Sequence, residues 1–321
     1  MIAPALLIAY VIIMGSIGAR GLQSARWPQR SPWLGMLAWQ ALSASVLLAA
    51  LLTGVTLAGP TLSISTRLAS LLDACWEAIW EQYSTPGGAT AASVGVLLVI
   101  AILGRLGFTL ALEVLTTHCR RRTQRRRLMM VASRDPTMGV FVVPHPSSAV
   151  YCLPGRPGVV VCTSAAAAAL DGPEMAAVLA HERAHLRSRH DMVLTAAAGL
   201  RAAFPFVPAF TLARAELGRL VEMQADDAAA AAGERRVLAS ALVRLAAGAV
   251  PAVAMGAGGT TALARVQRLA RPANPLTRPG SVLAAAMALT AVLLPLLIAV
   301  GPALVAVVLD YCPPGLLPPG H

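Results

Sequence analysis

Long apolar stretches limit most strongly what this chain can fold into, because runs of about 20 uncharged apolar residues suit a bilayer core. Only 13% of the residues are charged, against roughly 25% in soluble domains. This composition excludes an ordinary soluble enzyme, a disordered chain and a collagen-like fibre. The sequence therefore predicts a mostly α-helical membrane protein with four transmembrane helices, at Pro4–Ala19, Trp33–Gly59, Thr90–Leu112 and Val282–Leu309.

The arginines predict how the chain is oriented, since cytoplasmic loops are rich in positive charge. Arg20, Arg26 and Arg30 follow the first span, and six arginines at 120–127 follow the third. Both termini are therefore expected outside, and residues 115–280 in the cytoplasm. Because the first charge comes after the first apolar run, this run is predicted to be a retained anchor and not a cleaved signal peptide.

The arginine cluster at 120–127 allows two interpretations. Runs of this kind can bind nucleic acid phosphates without sequence preference. At the cytoplasmic end of a span, however, a topology anchor on anionic lipid explains it better. The lipid bilayer is therefore a predicted partner, no specific nucleic acid is, and the oligomeric state is left open.

The segment between spans three and four is predicted to form a cytoplasmic α+β domain. Three short β-branched runs, separated by Pro and Gly, predict strands at Val140–Val143, Ala149–Leu153 and Val159–Thr163. Asp171 and Glu174 then have the spacing of a capping box that begins a helix. The predicted units are residues 1–116 with three transmembrane helices, 117–280 with the domain, and 281–321 with the fourth helix and a short external tail.

The predicted helix carries the motif His181-Glu182-Arg183-Ala184-His185. Two histidines four residues apart lie on one helix face, where both imidazoles can reach one zinc ion. Glu182 is then placed to take a proton from an attacking water. The non-functional alternative is a pair of histidines on a solvated helix. The apolar residues that precede the motif, however, indicate that this helix is buried where the motif begins.

Glu222 is the predicted third metal ligand, since catalytic zinc commonly has three protein ligands. Asp226 lies one turn later on the same predicted helix face, where a carboxylate can orient a ligand histidine. Residues 192–213 must then form a hairpin or a re-entrant element, because a full span would separate Glu222 from the histidines. His190 and Asp191 are interpreted as a solvated helix end. A disulfide between Cys75 and Cys312, both predicted outside, is left open.

The chain resembles the gluzincin membrane peptidases over residues 140–270. Its specific features are His181–His185 on a helix and Glu222–Asp226. The Phe204-Pro205 segment is more similar to the BlaR/MecR-type sensor peptidases, and Glu222–Asp226 to the HtpX/Ste24-type proteases. Arg265-Val266-Gln267-Arg268-Leu269 resembles a late arginine helix found in both branches.

The resemblance implies a membrane zinc metalloendopeptidase with a gluzincin-type fold, which hydrolyses protein or peptide substrates at the cytoplasmic face. Regulated cleavage of a cytosolic repressor is the expected role. The alternatives are quality control of membrane proteins and a non-catalytic receptor or scaffold. Arg265 is a candidate to stabilise the oxyanion that forms during hydrolysis. A strand near 140–150 is a candidate to hold the extended substrate. Direct β-lactam sensing is not expected, because residues 310–321 contain no Ser-x-x-Lys motif.

Overall fold

The computed structural model describes residues 2–58, 87–247 and 258–309. Cys75, Cys312 and the external tail lie outside these residues. The described chain is mostly helical. Four of its helices are long and apolar enough to cross a membrane, as predicted: α1 (Ile2–Ser24, with a π-helical stretch at Ile13–Gly18), α2 (Pro32–Ala58), α3 (Gly88–Val131) and α10 (Arg278–Leu309).

Helix α3 continues well beyond the predicted third span. Its 44 residues reach about 66 Å at 1.5 Å per residue, roughly twice the hydrocarbon thickness of a bilayer. The residues after 112 include six arginines, two leucines and two methionines, which are good helix formers. The helix therefore ends only at Val131.

A small four-stranded sheet follows α3, with strand order β1-β2-β4-β3. Its strands are β1 (Ser133–Asp135), β2 (Val140–Val143), β3 (Val150–Leu153) and β4 (Val159–Thr163). The predicted β-branched runs form the last three strands, and β1 was missed because it is short and polar. β2 and β4 are parallel, whereas the two outer strands pair in the antiparallel sense.

Six shorter helices complete the part of the chain that the structure describes. They are α4 (Ser164–Ala169), α5 (Gly172–Arg187), α6 (His190–Ala203), α7 (Pro208–Ala232), α8 (Arg235–Ala247) and α9 (Gly258–Ala270). α5 begins at the predicted capping box. The Asp171 side chain accepts a hydrogen bond from the backbone N–H of Glu174, and the Glu174 side chain accepts one from the backbone N–H of Asp171.

Residues 192–213 form a helical hairpin, made by α6 and the start of α7. Its turn at residues 204–207 lies beside the transmembrane helices. Arg105 of α3 donates to the Ala203 carbonyl at the end of α6, and Gly199 packs so closely on Leu110 that a Cβ there would overlap it. The hairpin returns the chain toward α5. Because of this return, α7 can approach the histidine motif.

Helix α7 takes part in two buried cores. Phe210, Leu217 and Leu220 pack with Trp39 of α2 in one of them. Ala229, two turns later, belongs to the second core, which joins the sheet, α5, α8 and Leu269 of α9. α7 therefore connects the transmembrane helices to the helices around the histidine motif.

Candidate metal centre

The two motif histidines converge on the inner face of α5. The Nε2 atoms of His181 and His185 are 3.1 Å apart. His181 is buried, with 5% of its surface exposed, and His185 is partly buried. The predicted i, i+4 arrangement is therefore the one observed.

Glu222 of α7 completes a cluster of three potential ligands. Its Oε2 lies 3.5 Å from His181 Nε2, and its Oε1 lies 3.5 Å from His185 Nε2. One ligand atom from each residue can be chosen so that all lie within 4.8 Å of one another. Ligands about 2.0 Å from a tetrahedral zinc are roughly 3.3 Å apart, so this donor set fits a zinc ion without rearrangement of the backbone.

Asp226 lies behind His181, on the side away from Glu222. Its Oδ1 is 3.0 Å from His181 Nδ1, and its side chain is fully buried. A carboxylate in this position directs the Nε2 atom of His181 toward the cluster. Asp226 was predicted to orient a ligand histidine, and in the structure it lies next to His181. Its role stays a prediction.

Arg265 of α9 joins the two carboxylates of α7. It binds Asp226 with Nε and Nη2 at 2.8 and 2.6 Å, and its Nη1 lies 2.9 Å from Glu222 Oε2. Three guanidinium nitrogens thus face carboxylates. The predicted oxyanion role is untested, and these contacts favour a positioning role instead.

The charges of this cluster are strongly perturbed. Burial alone would lower the pKa of His181, but the Asp226 and Glu222 carboxylates raise it to about 9. Burial lowers the pKa of His185 to about 4. Burial would raise the pKa of Asp226, but Arg265 and His181 lower it to about 2. At neutral pH these pKa values leave His181 doubly protonated and His185 neutral, and a metal cation at Nε2 of His181 would replace one of its two protons.

His190 is part of this site, so its interpretation as a solvated helix end was wrong. It is buried, and its Nδ1 lies 2.9 Å from His185 Nδ1. Arg189 has a left-handed conformation (φ 51°), which turns the chain so that α6 starts beside α5. Asp191 pairs with Arg121 of α3 at 2.9 Å. An imidazole here can orient His185 as Asp226 orients His181.

Glu182 lies next to Cys152 of β3. Its carboxylate interacts with the Cys152 backbone N–H and thiol, and burial raises its pKa. Burial and the neighbouring Glu182 carboxylate raise the pKa of the Cys152 thiol to about 12, so the cysteine stays a neutral thiol. Nothing in the sequence marks Cys152 as a neighbour of the motif, because 30 residues separate them.

A strand near 140–150 was predicted to hold the substrate, and this range contains β2 and the start of β3. β2 is paired on both sides, so the strand with a free edge beside the site is β3. β3 is at the edge of the sheet, and no other strand of the described chain pairs with its outer side. Since the Thr163 N–H bonds to the Ala149 carbonyl, the alternation of an antiparallel ladder leaves the backbone groups of Val150 and Cys152 on the outer side.

A cleft of about 310 Å³ opens next to the cluster. His185, Glu222 and Cys152 line it, together with Glu113 and Thr117 of α3. Two of the three potential ligands, His185 and Glu222, are therefore accessible from a cavity that borders the membrane-spanning helix.

Comparison with known proteins identifies the family. The model of peptidase family M48 matches residues 120–286, more than half of the chain. No curated protein and no solved structure matches significantly. The match covers α5, α7 and α9, which contribute the cluster, and it confirms the resemblance to membrane metallopeptidases. The chain belongs to peptidase family M48.

Proposed function

We propose that this M48 peptidase is a zinc-dependent endopeptidase whose metal is held by His181, His185 and Glu222. Metal-dependent proteolysis follows from the family. The single observation that carries the proposal is the convergence of two imidazoles and one carboxylate beside a cleft that His185 and Glu222 line. This donor set suits zinc better than magnesium or calcium, which prefer oxygen ligands alone.

A zinc ion bound there would polarise the scissile carbonyl and activate water as a nucleophile. Glu182 takes a proton from the attacking water and donates it to the leaving amine. Its raised pKa suits both steps, because a base that holds the proton too weakly cannot return it. Asp226 and His190 orient the two ligand histidines, and Arg265 holds Glu222 and Asp226 in place.

The outer edge of β3 is the proposed binding surface for an extended substrate. The Val150 backbone groups and the Cys152 carbonyl on that edge can pair with a peptide by strand addition. Because Glu182 interacts with Cys152, a peptide bound along β3 would pass directly over the proposed base. Strand addition also explains how a peptidase can accept many sequences, since backbone hydrogen bonds do not depend on side chains.

The proposed substrate is a protein at the cytoplasmic face, and a transcriptional repressor cleaved in response to a signal is the first candidate. Quality control of membrane proteins is the second, and it is supported by the position of Glu113 and Thr117 of α3 in the cleft. The two roles differ in what accumulates in a deletion strain, which is a cytosolic repressor in the first case and misfolded membrane protein in the second.

Removal of metal should abolish hydrolysis reversibly. The purified chain in detergent is expected to cleave an unfolded protein substrate, to lose this activity after treatment with a zinc chelator, and to regain it with added zinc. Product fragments separated by mass measure the outcome. Cleavage that persists at full rate in the metal-free protein would contradict the proposal.

Cys119 should be cytoplasmic. It is exposed on α3, directly before the arginine cluster, so a variant that keeps Cys119 as its only cysteine reports sidedness. An impermeant maleimide should label it only after the cells are permeabilised, because the predicted orientation places residues 115–280 inside. Strong labelling in intact cells would reverse the orientation and place the proposed catalysis outside.

A further inference from the structure

A second cavity, of about 740 Å³, lies between the loop that joins α1 to α2, helix α7 and the segment that leads from α9 to α10. Its lining does not include the metal cluster. We call it the basic cavity, because six arginines line it: Arg26, Arg30, Arg219, Arg235, Arg268 and Arg271.

Carboxylates balance only part of this positive charge. Asp227 pairs with Arg268 at 2.7 Å and with Arg235 at 3.5 Å, and Glu216 pairs with Arg219. Within the described segments, no carboxylate lies within 4.0 Å of the other three arginines, which are Arg26, Arg30 and Arg271. The cavity therefore has an excess of positive charge, which a concave surface concentrates.

Hydrogen bonds hold the walls of the basic cavity together. Arg30 donates to the backbone carbonyls of Asn274 and Pro275, at 3.3 and 3.2 Å, and to the Asn274 side chain at 3.1 Å. Arg268 donates to the Gln29 carbonyl at 3.2 Å. These bonds connect the α1–α2 loop to α9 and to the middle of the α9–α10 segment. Arg30 and Arg268 are thus held at the cavity by hydrogen bonds, whereas Arg26 and Arg271 are exposed at its rim.

We propose that the basic cavity binds a phosphate-bearing anion, either the headgroup of an anionic lipid or a soluble phosphate compound. Guanidinium groups match the geometry of phosphate oxygens and keep their charge at any physiological pH. The loop that carries Arg26 and Arg30 joins two transmembrane helices, so the cavity is placed at the level where lipid phosphates lie. Its opening also gives access to a soluble anion.

Binding would act on the same helix that supports the metal cluster. Arg268 lies one turn after Arg265 on α9, and Asp227 follows Asp226 on α7. An anion that contacts Arg219 of α7 and Arg268 of α9 would hold α9 against α7, and with it the contacts of Arg265. Anion binding should therefore raise the thermal stability of the chain. This expectation does not depend on peptidase activity.

The test uses the full chain in detergent micelles with two probes, inorganic pyrophosphate and short-chain phosphatidylglycerol, and phosphatidylcholine as the uncharged comparison. The cavity variant is Arg26→Glu/Arg271→Glu, since neither side chain makes a contact in the described structure that folding requires. Arg134→Glu/Arg236→Glu is the matched control, with the same change of charge at exposed positions that do not line the cavity. Equilibrium binding and melting temperature are measured.

At least one probe should bind the wild type and raise its melting temperature, and the cavity variant should weaken this binding by about tenfold or more. The control should change it by less than about twofold. Binding of phosphatidylglycerol alone identifies a lipid headgroup as the ligand, and binding of pyrophosphate identifies a soluble anion. If the cavity variant does not fold, Arg26→Gln/Arg271→Gln should give the same weakening. Equal weakening of anion binding in the control variant would overturn the proposal. Unchanged anion binding in the cavity variants would overturn it as well.

Discussion

Replacement of Glu182 by glutamine is expected to reduce peptide hydrolysis by about 10²–10⁴-fold, the usual effect of removing a general base. Metal content should stay at the wild-type level, because Glu182 is not one of the three clustered ligands. Glutamine keeps the size of the side chain and can still contact Cys152, so the fold should be unaffected. The comparison therefore separates proton transfer from metal binding.

Glu234→Gln provides the matched control. This residue is exposed just before α8, outside the cluster and its cleft, and its replacement should leave the cleavage rate unchanged. Rates and zinc content should be measured on the same preparations. A Glu182→Gln protein that cleaves as fast as wild type would show that another group removes the proton, and the proposed mechanism would be wrong.

Replacement of Glu222 by alanine is expected to remove the metal together with the activity. The side chain supplies the only carboxylate within reach of both motif histidines, so two imidazoles alone would remain in the described site. Loss of a residue that only hydrogen-bonds to a metal ligand already lowers metal affinity by about 10–100-fold. Loss of a ligand itself should cost at least about 100-fold, measured by competition with a coloured chelator.

Glu216→Ala, on the same helix, is the control for this loss. Glu216 pairs with Arg219 and not with the cluster, so its replacement should leave zinc affinity as it is in the wild type. Unchanged zinc affinity in Glu222→Ala would mean that Glu222 is not the third ligand.

The local parts of this structure could be predicted from the sequence. The transmembrane helices follow from apolar runs, and the start of α5 follows from Asp171 and Glu174, whose interactions span three residues. The pairing of His181 with His185 depends on helix periodicity alone. Glu222 was proposed from its place after the motif, with Asp226 one turn later. This proposal required the chain to return between the motif and Glu222, a condition that the α6–α7 hairpin meets.

The contacts that were missed connect distant parts of the chain or depend on one unusual residue. His190 seemed solvated because the left-handed turn at Arg189 could not be foreseen from an arginine, which seldom adopts it. Cys152 lies beside Glu182 only because β3 is the edge strand, and strand order cannot be read from three short runs. Likewise, 84 residues separate His181 from Arg265, so no local pattern predicts their proximity.

X-ray absorption spectroscopy at the zinc edge, on protein purified with its metal, tests most directly that His181, His185 and Glu222 hold zinc. The spectrum should show nitrogen and oxygen ligands at about 2.0–2.2 Å, with the multiple scattering of two imidazoles and no sulfur. Replacement of His185 by alanine should abolish the signal. A sulfur ligand at about 2.3 Å, or a single imidazole in the wild type, would contradict the proposed centre.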